Sequence, residues 1–138
     1  MQRLFTFFLL LTISSISIAQ GGQWDTKNKK AIKLVEKGME AARYAPFDEY
    51  GRLDYSEAIG YFDQAIAKDP NFSDAYFLKA EYCMRGGDPM GAITAYRELI
   101  ALPTFTTTTG YVYYDLANLE LANGMYAEAL EHSKKYAT

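Results

Sequence analysis

Histidine is the side chain most used for proton transfer near neutral pH and a common zinc ligand, and this 138-residue chain has one, His132, next to Glu131. A lone imidazole with no recognisable ligand or base around it reads as an exposed surface residue. Cys83 is also single, so it has no partner for an internal disulfide, and its neighbours Tyr82 and Met84 mark it as a small buried hydrophobe. Cys83 and His132 are far apart in the chain, and no third ligand completes a metal site. Asp69, Asn71, Ser73 and Asp74 crowd oxygen-bearing side chains into six residues, as at the start of a calcium loop. The glycine and the distal glutamate of such a loop are missing, and Ser73 is expected as a helix N-cap. No nucleophile elbow, phosphate-binding glycine loop or zinc-protease helix occurs, and Gly86-Gly87 is expected as a turn between helices. The chain is therefore expected to be no enzyme, with no cofactor and no metal.

Charge excludes a further class of partner. Lys27, Lys29, Lys30, Lys33 and Lys37 form a basic run, but Glu36 and Glu40 lie among them, which predicts a solvated helix face. With a net charge of −3 over the whole chain, binding to nucleic acid is not expected. The opening residues carry a different message. Met1-Gln2-Arg3 is a short basic start, Leu4 to Leu11 an apolar core, and Ser17-Ile18-Ala19 a small-residue cleavage site. Residues 1–19 are read as a signal peptide, leaving Gln20 as the new N-terminus and 20–26 as a linker. The apolar stretch is too short for the ~20 residues of a spanning helix. Localisation is accordingly expected to be exported, in the periplasm or cell envelope or secreted.

The elements that must position these side chains repeat. Tyr55-Ser56-Glu57-Ala58-Ile59, Pro89-Met90-Gly91-Ala92-Ile93 and Tyr126-Ala127-Glu128-Ala129-Leu130 are one phrase written three times, at spacings of 34 and 37 residues between the alanines. Each alanine opens an amphipathic helical pattern, continued by Phe62, Ala65 and Ile66 in the first copy and Tyr96, Leu99 and Ile100 in the second. A partner helix precedes each copy, over 73–85 and 111–123 for the second and third. For the first it spans 27–43, with Ile32, Val35, Met39 and Ala42 as its apolar stripe. Residues 44–53 hold Pro46, Asp48 and Gly51 without a period and read as an insertion lengthening the first turn. The fold class is all-α, an α-solenoid of about three helix-turn-helix units over 27–72, 73–109 and 110–138.

In these features the chain resembles the tetratricopeptide repeat family over residues 27–137. The match runs through Ala58, Phe62, Ala65 and Asp69-Pro70-Asn71, then Tyr76, Ala80, Gly87, Ala92, Tyr96 and Leu99, then Tyr113, Leu116, Ala117, Gly124, Ala129 and Tyr136. Lys79 stands where the family has leucine and Ser133 where it has an aromatic. The resemblance implies a non-enzymatic protein-interaction module whose first helices line a groove for a protein or peptide partner. Carried onto this chain, the groove positions are Asp74, Phe77, Glu81, Met84 and Arg85 in the second unit and Tyr111, Tyr114, Asn118 and Leu121 in the third. The alternative is a structural N-terminal region of a larger envelope protein. The last helix is less apolar than its predecessors, yet Leu130 and Tyr136 remain, so weak self-association through the C-terminal face is also expected.

Overall fold

The computed structural model describes residues 24–105 and 110–137. The signal peptide, the start of the linker and the Thr106 to Thr109 run lie outside the described residues. Six helices follow in order: α1 (Lys29–Arg43), α2 (Ser56–Lys68), α3 (Ser73–Arg85), α4 (Pro89–Ile100), α5 (Gly110–Ala122) and α6 (Tyr126–Tyr136). They pair as α1 with α2, α3 with α4 and α5 with α6, and the pairs stack in sequence through α2 on α3 and α4 on α5. This is the expected all-α repeat solenoid.

Small residues set the spacing of the first pair. The buried face of α1 is Ala31, Val35, Gly38 and Ala42, whereas Met39 is 41% exposed and Ile32 only half-buried. The stripe expected through Ile32 and Met39 is therefore rotated. Its larger side chains mislead, because the close crossing with α2 selects the residues with least bulk. A methyl placed on Gly38 would stand 2.5 Å from Phe62 Cε1, and Phe62 is fully buried. The ring occupies the space that the glycine leaves.

Turns repeat as faithfully as the helices. At the end of α3 the Asp88 N–H donates to the Cys83 carbonyl at 2.8 Å, and at the end of α5 the Met125 N–H donates to the Glu120 carbonyl at 2.8 Å. Both turns place a glycine in the left-handed region, Gly87 at φ 79° and Gly124 at φ 78°, where other residues are strained. Asp88 then caps α4 by accepting from the Gly91 N–H at 2.8 Å. The first pair departs as expected. Its insertion is a small hairpin with an antiparallel bridge between Phe47 and Leu53, held by Asp48 Oδ1 accepting from the N–H groups of Tyr50 and Arg52, each at 2.8 Å.

Two apolar clusters result. Val35, Phe62 and Phe72 centre the first and Ile93, Tyr96, Leu99 and Leu116 the second, while half-buried Ile66 packs on both. Cys83 is buried, as its neighbours implied, and Lys79 takes the leucine position by pairing with Asp63 at 2.7 Å. The lysines of α1 face solvent, with Lys37 Nζ 5.8 Å from the Tyr61 ring centre.

Gly38→Ala should destabilise the fold by about 1–2 kcal/mol, because overpacking against Phe62 outweighs the ~1 kcal/mol that alanine gains in helix propensity. Lys30→Ala, on the solvated face, should stay within about 0.5 kcal/mol. Urea denaturation of both variants checks the ranking, and a stabilised Gly38→Ala would refute the close crossing.

Candidate functional site

Residues 24–26, the end of the expected linker, are packed against the repeats. Trp24 meets Phe72 edge-on at 5.9 Å, and Thr26 Oγ1 donates to Asp69. Asp25 does the capping that the sequence assigned to Ser73. Ser73 is the first residue of α3, and its N–H donates to Asp25 Oδ2 at 3.0 Å, as does its hydroxyl. A carboxylate here also suits the positive end of the helix. The Asp25 N–H in turn donates to Asp74 Oδ2 at 3.2 Å.

This junction forms one end of a cleft of about 380 Å³, lined by Asp25, Ser73, Asp74, Phe77, Leu99, Thr104, Phe105 and Val112. Of the nine groove positions expected from the sequence, only Asp74 and Phe77 reach it. Phe77 packs edge-on to Tyr96 at 6.2 Å yet stays about one-third exposed. One turn further along α3, Glu81 points inward and accepts the Tyr96 hydroxyl at 2.9 Å, with Arg85 at 3.6 Å. Burial, and then Glu81, push the Tyr96 phenol far above its ordinary value, so it serves as a hydrogen-bond donor. Met84 and Arg85 are exposed at the end of the helix, the guanidinium 5.3 Å from the Tyr82 ring. On α5, Tyr111, Tyr114, Asn118 and Leu121 are all exposed, with Tyr114 5.6 Å from Tyr136. These four form an open face beside the cleft.

The sequence reading missed Asp25 and Asp115. Asp115 lies on α5, between Tyr111 and Asn118, and its carboxyl is pushed up by burial and then by the charge of Glu81. Burial likewise pushes the Asp74 carboxyl up; the Asp25 N–H opposes this, and the Asp25 charge adds to the rise. Only the spacing of Asp74, Phe77 and Glu81 along one helix hinted at such a face.

His132 corrects the expectation of an exposed imidazole. It is buried, stacked on Tyr113 at 6.0 Å, with Nδ1 2.7 Å from Glu120 Oε2. Glu120 is fully buried, and its other oxygen accepts from Arg97 Nε at 3.0 Å and Nη2 at 2.8 Å. The triad joins α4, α5 and α6, and all its facing groups are hydrogen-bonded to one another, which gives it a structural part. A histidine twelve residues after a glutamate carries no periodic signal, so the pairing was not legible.

The tetratricopeptide repeat family model matches residues 48–104, which covers the hairpin, α2, α3 and α4. Over those residues the chain matches the tetratricopeptide repeat family, and the stacked helix pairs on either side continue the same helix-pair repeat. Such repeats are protein-interaction modules, typically without catalytic activity. No curated protein matches the chain.

An acid whose pKa is raised by folding loses stability as pH climbs through the folded pKa, and recovers it below the unfolded value. Asp74→Asn should therefore raise the melting temperature at pH 7, and the gain should shrink below about pH 4. Thermal melts across that range check it. A lower melting temperature for the variant at pH 7 would contradict the assigned cost of burying the charged Asp74 carboxyl.

Proposed function

We propose that this chain is a non-enzymatic interaction module of the cell envelope, binding a protein or peptide partner along the face that α3 and α5 present. One observation carries the reading: Phe77, Tyr111, Tyr114 and Leu121 are 36%, 76%, 50% and 55% exposed, on two neighbouring first helices and at helical spacing. Aromatic and large apolar side chains held on rigid helices lose little entropy on binding and dominate interface energies. The proposal of export rests on residues 1–19. Among the described residues no helix is long and apolar enough to cross a membrane.

A second reading has its own observation. On α6, Tyr126 is 70% and Leu130 58% exposed, a face suited to weak self-association or to another domain of an envelope protein. It does not compete with the first, since the two use different helices.

Replacing Phe77 and Tyr114 together by Ala should weaken binding of a partner by at least 10-fold, while leaving the helical content intact. The partner would be recovered by crosslinking from the cell envelope and titrated by calorimetry. Unchanged affinity would reject the face.

A further inference from the structure

Residues 24–26 form a strap that completes the end of the cleft. Trp24 lies edge-on to Phe72 and the Thr26 hydroxyl donates to Asp69, so Asp25 is fastened on both sides and holds a fixed place at the cleft. There it meets Asp74, whose Oδ2 accepts from the Asp25 N–H at 3.2 Å, while Asp25 Oδ2 accepts from the N–H and hydroxyl of Ser73. Among the described residues nothing donates to the other oxygen of either carboxyl, and no Lys, Arg or His forms an ion pair with either. Away from these two acids the walls are chiefly apolar, made by Phe77, Leu99, Phe105 and Val112.

This combination selects an occupant. An anion is repelled, and a purely apolar group would leave the two carboxyls beside it unpaired. No three His, Cys, Asp or Glu residues among those described converge on a point, so a metal lacks its usual oxygen cage. An arginine side chain meets both demands. Its methylenes lie along apolar walls, and its planar guanidinium has enough N–H donors to serve two carboxylates at once. Burial pushes the Asp74 carboxyl up, and a cation beside it would favour the charged form.

We infer that the strap and α3 together form a pocket for one arginine side chain of a partner polypeptide, its guanidinium between Asp25 and Asp74 and its methylenes against Phe77. The inference rests on the interaction face proposed above, to which Phe77 belongs, and names the partner's anchoring residue. A polypeptide suits the surroundings better than a free small cation, because the exposed Tyr111 and Tyr114 of α5 lie beside the cleft and offer the rest of the segment a surface. Lysine, with one compact ammonium, serves the carboxyl pair less well.

The test uses the full chain, with any leader it retains, against a displayed library of random dodecapeptides. Selected peptides are synthesised and titrated by fluorescence anisotropy. Expected is one arginine common to the selected peptides, with a loss of at least 10-fold when citrulline replaces it, which keeps the shape without the charge, and of at least 3-fold when lysine does. Asp25→Asn with Asp74→Asn should cost at least 10-fold on the arginine peptide and nothing further on its citrulline counterpart. Trp24→Ala keeps every charge but frees the strap, and should cost at least 3-fold. Circular dichroism confirms that each variant folds. Selected peptides without arginine, equal binding of the citrulline or lysine counterparts, or full affinity in the Asp25→Asn, Asp74→Asn protein would each overturn the inference while the binding face stands. Unchanged affinity in Trp24→Ala overturns the part given to the strap. If free arginine amide binds as tightly as the peptides, a polypeptide occupant is rejected. If no peptide that binds is weakened by the Phe77→Ala, Tyr114→Ala pair, the face itself falls.

Discussion

The structure depends on how closely two helices can cross. Where α1 meets α2, Gly38 leaves room for the Phe62 ring, and a single methyl there would collide with it. Buried alanines play the same part elsewhere, at Ala75 and Ala80 on α3, Ala92 and Ala95 on α4, and Ala117 and Ala129 on the last pair. Close crossing lets a short helix bury enough apolar surface with few large side chains. Without it, helices of 11 to 15 residues would be marginal alone.

A division of labour follows. Because small residues and a few rings, chiefly Phe62, Phe72 and Tyr96, fill the spaces between helices, other large side chains are left over. Phe77, Tyr111, Tyr114 and Leu121 are held on rigid helices without being needed to close the core. The same economy applies to charge. Glu120 is buried and fully engaged by Arg97 and His132, tying α4, α5 and α6 together. Burial, and to a lesser degree a neighbouring carboxylate, pushes the Asp74 and Asp115 carboxyls up, so these two acids do not help to hold the frame at neutral pH. On the proposed reading, stability and recognition draw on different residues of the same helices.

Part of this architecture was legible in the sequence. The helix pairs were, because alanine recurs at Ala58, Ala92 and Ala129 with apolar residues at helical spacing behind it, and α3 falls on the expected residues. The stripe of α1 was misread because pattern analysis rewards bulk, while the crossing rewards its absence. His132 was misread because its partner Glu120 lies on another helix, and no local spacing encodes that contact. Ser73 has the residue type of a cap but stands one position too late, and Asp25, 48 residues away, takes the role. Phe77 was placed through the repeat register, yet the cleft beside it needed Leu99, Phe105 and Val112 from later segments. Contacts within a repeat unit are written in the sequence; contacts between units are not.

The central claim is that recognition sits on α3 and α5 while the small-residue crossings only hold the frame. Hydrogen exchange of the full chain, with and without a saturating peptide selected on it, tests this most directly. The account predicts added protection in α3, α5 and residues 24–26, with exchange in α2 and α6 unchanged. Protection confined to α2 or α6, with α3 and α5 unaffected, would contradict it.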